Sequence, residues 1–312
     1  MSRYLGIDTS NYTTSVALFD SETKTVISKK KLLPVKPGER GIRQSDAVFH
    51  HTQQIRELLL DFESLEKVET VTVSIRPRFQ EDSYMPCFTV GQTVATAMAS
   101  VQGAELYEVS HQEGHIMAAL YSADKLDLLG QEFLAFHVSG GTTESLLVKP
   151  SERCLVSAKL IGTSNDLKAG QAVDRVGLML GLNFPCGPEL EKLALLSKRE
   201  FGDIKASLSG FDCSLSGVEN KCKAMLDKGE PKEDIALFCL LYIEEALKGM
   251  LSSALEEYKL PVVFSGGVMS NSILQKDILK FANVLGVDAY FAEPQYSSDN
   301  AVGVALLGCY KN

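Results

Sequence analysis

The sequence predicts an α/β protein made of two related lobes. Three observations carry that reading. Strand-like and helix-like patterns alternate along the chain. The run VETVTVSI (68–75) is rich in β-branched residues, as suits a buried parallel strand. And one hairpin occurs twice: IDTSNYTTSVAL (7–18) and FHVSGGTTESLL (136–147) align without gaps, matching Ser10 to Ser139, Thr13 to Thr142 and Thr14 to Thr143. A strand, polar turn and strand repeated half a chain apart implies duplicated halves facing one cleft.

Taken in order, RYLGID (3–8), SVALFD (15–20) and KTVISKK (24–30) read as strands. SDAVFHHTQQIRELLLDFES (45–64) has apolar residues at helical spacing behind a Ser-Asp start. After the β-branched strand come a small-residue helix at 89–104 and a strand at 105–110. Past the second hairpin, 154–162 reads as a strand and 166–182 as a helix stopped by Asn183 and Pro185. A long amphipathic helix spans 231–258. A strand at 260–267, a helix at 271–286, a strand at 288–294 and a closing helix at 300–310 complete the chain. The expected division is an N-terminal lobe, 1–108, with residues 300–312 packing back on it, and a C-terminal lobe, 109–299, carrying the metal and nucleotide sites.

The chain has 312 residues, 45% of them apolar, enough for two cores. No apolar run approaches the roughly 18 residues that span a bilayer, and the N-terminus enters a strand pattern directly, so a cytoplasmic location and no membrane partner are expected. The seven cysteines form no C-x-x-C pair, which fits reduced thiols better than a disulfide framework. A net charge of −9 argues against an unaided grip on nucleic acid.

Three turns are candidates for binding chemistry, with ordinary β-turns or a Gly-rich connector as the alternative. DTSNYTT (8–14) and VSGGTTES (138–145) offer hydroxyls and amides at strand bends, with Gly140 and Gly141 allowing close backbone approach. SGGVMSN (265–271) joins a strand to a helix through Gly266 and Gly267, where Ser270 or Asn271 can cap. Neither a P-loop nor a dinucleotide fingerprint is present. In HQEGH (111–115), His111 and His115 share one helical face, about 40° apart at roughly 100° per residue. Glu113 faces away, and Ser110 with Glu113 matches the capping box S-x-x-E. A zinc protease places its glutamate directly after the first histidine, so this is not that motif. His137 and Asp299 are the candidates to complete a metal site, and imidazoles with one carboxylate suit iron or zinc.

In combination, LGIDTS, HQEGH, HVSGG, AVDRVGLMLGLNFPCGP, FSGGVMSN and SSDN in this order resemble the tRNA N6-threonylcarbamoyladenosine synthase family, formerly labelled glycoprotease or O-sialoglycoprotein endopeptidase. The resemblance implies the two-lobed fold of actin, sugar kinases and heat-shock ATPases, with duplicated ribonuclease-H-like subdomains. It implies a divalent metal, iron or zinc, on His111, His115 and Asp299, with His137 where some members have a tyrosine ligand. It implies ATP, ADP, AMP or threonylcarbamoyl-adenylate as ligand. Ser10, Ser139, Gly140 and Gly141 look like phosphate turns. Asp174, Gly187 and Asn271, with Gly266 and Gly267, resemble the groups that hold ribose and base. No nucleophilic side chain is required, because the adenine amine of tRNA attacks the carbamoyl carbon. Protein partners of a tRNA-modification complex are implied, with tRNA bound only in their company.

The chain departs from that pattern where the family has Cys-Asp-Glu-Thr and this sequence has Asn11, Tyr12, Thr13 and Thr14. Arg76-Pro77-Arg78 stands in place of Gly-Pro-Gly, Gln171 in place of glutamate, and Thr142 in place of His or Asn. These departures keep open an ATP-binding paralogue, as phosphotransferase or scaffold subunit. A metalloendopeptidase comes last.

Overall fold

In the computed structural model, which describes residues 2–10, 12–34, 42–65, 67–80 and 83–311, strands and helices alternate within two units. The first unit comprises Met1–Gly130, Pro150–Ser157 and Ser298–Asn312, and the second Gln131–Lys149 and Ala158–Ser297. The expected division after residue 108 therefore differs from the observed one after Gly130. The reason is local. The strand ending at Ser110 runs without a loop into the helix that starts at His111, and that helix packs on the closing helix of its own unit.

The first unit runs β1 (Arg3–Ser10), β2 (Thr13–Asp20), β3 (Thr25–Leu32), α1 (Gln44–Leu60), β4 (Val68–Arg76), α2 (Phe88–Gln102), β5 (Glu105–Ser110) and α3 (His111–Ser122). Its sheet has the order β3-β2-β1-β4-β5. The hairpins are antiparallel, whereas β1, β4 and β5 run parallel through helical crossovers. β1 is buried along all but its first residue, which explains why Leu5 and Ile7 pack with Val16, Val71 and Val73 under α1 and α2. The closing helix, Val302–Lys311, packs on both β1 and α3. A side chain at Gly303 would collide with the backbone of Gly114, so only glycine permits that close crossing. The crossing has a functional consequence: it brings the segment before the closing helix, with Asp299, against the start of α3.

The second unit follows with β6 (Phe133–Val138), β7 (Thr143–Ser151), β8 (Leu155–Thr163), α4 (Ala169–Met179), α5 (Gly187–Ala194), β9 (Ser207–Ser209), β10 (Asp212–Ser214), α6 (Ser216–Asp227), α7 (Lys232–Tyr258), β11 (Val262–Ser265), α8 (Ser272–Val284), β12 (Ala289–Phe291) and α9 (Pro294–Ser297). Its five-stranded sheet has the order β12-β11-β6-β7-β8. Read from the other edge, that is the order of the first sheet: a meander of three strands, then two parallel strands beside the first of them. The duplication seen in the hairpin motif is thus a duplication of the whole sheet. The register repeats too: Ser10 pairs with Thr13, and Ser139 N–H donates to Thr142 O at 2.7 Å. The core of this unit is α7, buried along most of its length, against α4, α5 and the inner strands. The elements α5, β9, β10 and α6 lie in a stretch for which the sequence carried no expectation. α6, for example, buries only Val218 and Cys222, too short a stripe to announce a helix.

Candidate functional site

Helix α3 begins as its sequence dictates. Ser110 Oγ accepts from Glu113 N–H at 3.2 Å, and Glu113 Oε2 accepts from Ser110 N–H at 2.6 Å, a complete capping box. With the first turn held, His111 and His115 project from one face. His115 Nε2 lies 2.9 Å from His111 Nε2 and 3.2 Å from Asp299 Oδ1, while His111 Nε2 is 3.5 Å from that same oxygen. These three are the one cluster among the described residues whose donor atoms suit a metal ion. Donors this close fit a single ion with bonds of about 2.0–2.2 Å.

The support behind the cluster is equally specific. His111 Nδ1 is 2.7 Å from Asp8 Oδ2, and Asp8 Oδ1 accepts from Ser74 Oγ at 2.7 Å. A carboxylate on the far nitrogen fixes the ring and directs Nε2 toward an ion, the usual back-support of a metal-bound histidine. Thr13 Oγ1, in the first hairpin, lies 3.4 Å from Asp299 Oδ2. Electrostatics agree with a site that demands a cation. Burial would lower the His111 pKa, but Asp8 and Asp299 push it up to about 10. Burial would raise the Asp299 and Asp8 carboxyls, yet hydrogen bonds and charge from the histidines hold both below the usual carboxylate range. Without a metal, a proton on imidazole supplies the positive charge that the buried Asp8 and the half-buried Asp299 require.

Glu113 is no general base. Besides the cap, its Oε1 accepts from Arg153 Nη2 at 2.6 Å and from Cys154 Sγ at 2.7 Å. Both oxygens are engaged and the residue is buried.

The other candidates fall as follows. His137 lies in the second unit, with Nδ1 3.1 Å from Ser265 Oγ. Ser10, in the first unit, is buried and its hydroxyl has no hydrogen-bond partner among the described residues. Asn11 lies outside the described residues. In the second unit, β6 and β11 are parallel neighbours, and His137 pairs with Ser265 at their ends. The turns that follow them, Ser139–Gly141 and Gly266–Gly267, therefore leave the sheet at the same end, where α/β proteins bind ligands. Nothing stands against Gly140, Gly141 or Gly267 where a side chain would be. Gly170, in the first turn of α4, packs on Gly140 and donates its N–H to Ser139 O at 3.1 Å. Gly266 has φ +99° and faces the backbone of Val138, a conformation only glycine holds without strain. Asp174 Oδ1 accepts from Cys186 N–H at 2.8 Å, which ties it to Gly187, the first residue of α5, and burial raises its carboxyl pKa. Asn271 caps α8, its Oδ1 accepting from Ile273 and Leu274 N–H. That oxygen is consequently engaged by the helix. Among the departures, Gln171 Oε1 accepts from Lys168 N–H at 3.2 Å, and Pro77 O accepts from Gln112 N–H at 3.0 Å.

Asp8, Ser74 and Arg153 escaped the sequence reading. Asp8 is part of the quoted LGIDTS stretch, but nothing local indicates that it faces a histidine 103 positions away.

A family model described as tRNA N6-adenosine threonylcarbamoyltransferase matches residues 65–306. A tRNA N6-adenosine threonylcarbamoyltransferase of Persephonella marina is 29% identical, over 98% of this chain and 89% of its own. A Thermoplasma volcanium protein named "Probable bifunctional tRNA threonylcarbamoyladenosine biosynthesis protein" is 26% identical, over 97% of this chain and 55% of its own. Among solved structures, a ROK family glucokinase from Streptomyces griseus superposes with a TM-score of 0.56 at 10% identity, covering 99% of this chain and 100% of that one. That likeness speaks for the sugar-kinase fold class alone.

Proposed function

Because this chain belongs to the tRNA N6-adenosine threonylcarbamoyltransferase family, we propose that it transfers a threonylcarbamoyl group from its adenylate to adenosine of tRNA. The observation that carries the reading is the convergence of His111, His115 and Asp299, by which two distant segments of the family pattern, HQEGH and SSDN, meet at one point. His111 Nε2, His115 Nε2 and an Asp299 oxygen would hold a divalent metal, iron or zinc. When bound, that metal supplies Lewis-acid polarisation of a carbonyl or phosphoryl oxygen. Asp8 keeps His111 oriented for the task. In the second unit, the amides of Gly140 and Gly141 receive phosphate oxygens, and Gly266 and Gly267 let the ligand lie against backbone. Asp174 and Gly187 flank the ribose and base, and Asn271 shapes the turn before α8 through its cap. With no nucleophilic side chain needed, catalysis rests on holding the acyl-adenylate and admitting the adenine amine.

The chain is acidic, so protein partners supply the basic surface for tRNA, and the reaction takes place in the cytoplasm. No helix among the described residues is long and apolar enough to cross a membrane. Reconstitution with metal, threonylcarbamoyl-adenylate, unmodified tRNA and candidate partners tests the proposal. Modified adenosine, read by mass spectrometry of nucleosides, is the expected outcome. Tight nucleotide binding without any modified adenosine, partners present, sinks it.

A further inference from the structure

The residue that holds the metal helix in place sits outside the metal site. We infer that Arg153 is a positioning residue for His111 and His115, acting through Glu113, an inference that rests on the metal reading of that cluster.

Glu113 is 3% exposed and lies in the first turn of α3, between the two histidines. Its Oε2 holds the N-terminus of the helix through Ser110 N–H, and its Oε1 faces Arg153 Nη2 at 2.6 Å. Arg153 is the cation paired with this buried carboxylate. It is itself anchored on three further sides. Its guanidinium stacks 3.2 Å from the Phe79 ring centroid, its Nη2 approaches Cys154 Sγ at 3.0 Å, and its carbonyl accepts from the buried Tyr107 hydroxyl at 2.9 Å. A hydrogen bond from Cys154 Sγ completes the shell of Oε1, and burial with the neighbouring Glu113 raises the pKa of that thiol, so it serves as a donor.

The physical consequence follows from charge. A buried carboxylate deprived of its cation is strongly unfavourable, and the nearest relief is for Glu113 to swing toward solvent. That motion would release Ser110 N–H and loosen the turn carrying His111. A shared ion needs His111 Nε2 and His115 Nε2 to stay neighbours on one face, as they are at 2.9 Å, so the metal site registers the loss. Glutamine at 113 removes the need for a cation while keeping an amide oxygen for Ser110 N–H. The two residues should therefore be coupled in one particular direction.

The test uses the full chain and Co²⁺ as probe, with affinity and the visible cobalt spectrum as readouts and neither tRNA nor adenylate present. Arg153→Met is expected to weaken Co²⁺ binding about 10- to 100-fold, in the range typical of residues that orient metal ligands. Arg153→Lys should recover part of that loss. The double variant Arg153→Met/Glu113→Gln should return to within about threefold of the wild type, a rescue that general damage to the fold would not show. Should Arg153→Met prove unfolded, the double variant and Arg153→Lys still decide the matter. Wild-type Co²⁺ affinity in Arg153→Met overturns the inference, as does a double variant no better than the single. A wild-type chain that binds no Co²⁺ removes the metal reading and this inference with it. The transferase proposal is judged separately by its own reconstitution.

Discussion

The two units share one sheet order and one hairpin register, yet their hairpins do different work. In the first, the polar groups turn inward: Asp8 supports His111, Thr13 approaches Asp299, and Thr14 Oγ1 bonds His51 and Gln54 beneath the sheet. In the second, the corresponding turn contains Gly140 and Gly141, with open space where side chains would stand. On the proposed reading, the same backbone would support a cation in one copy and offer the Gly140 and Gly141 amides to an anion in the other. Topology fixed where the turns lie, and a few side chains fixed what each can bind. A duplicated fold can in this way host two chemistries without a second architecture.

If the division of labour is right, His111→Ala should cut metal affinity by about two orders of magnitude or more while leaving AMP binding near the wild-type level. Metal content by elemental analysis and AMP titration measure the two halves separately, and parallel loss of both would break the comparison. Gly266→Ala should act the other way. It forces a side chain onto Val138 at φ +99°, with an expected cost of roughly 2–4 kcal/mol in urea unfolding, and metal affinity should change little in whatever remains folded.

Asp8→Asn tests the support of the first hairpin and should weaken metal binding about 10- to 100-fold. It should also change the pH profile of the metal-free protein. The His111 pKa is pushed up to about 10 from 6.5, so its ion pairs add stability that is complete below 6.5 and fades as pH rises through about 10. Asp8 and Asp299 are depressed below 3.8, so their contribution is complete above that value and fades on acidification. Melting temperatures in a chelator should hold a plateau between these limits. In Asp8→Asn the alkaline decline should begin at lower pH. Metal uptake must displace the His111 proton, so apparent affinity in the wild type should rise with pH across the neutral range. The smallest effect is expected for Asn271→Ala, about 1 kcal/mol from a lost helix cap, seen in melts and with little change in metal content.

The features legible in the sequence are short in range. The capping box of Ser110 and Glu113, the shared face of His111 and His115, and the repeated hairpin all depend on spacings of a few residues. Helical and strand periodicity encode such spacings directly. The same holds for Asn271 as a cap and for the alternation that announced an α/β protein. The tertiary structure alone decided the rest. Asp299 reaches His115 across 184 positions because Gly303 lets the closing helix cross α3 at Gly114. Asp8 reaches His111 because β1 and β5 flank β4 in one sheet, with Ser74 of β4 bonded to Asp8 between them. Arg153 reaches Glu113 from a segment that the hairpin pattern places elsewhere. Which distant segments meet is set by sheet order and close helix packing, and no local period carries that information.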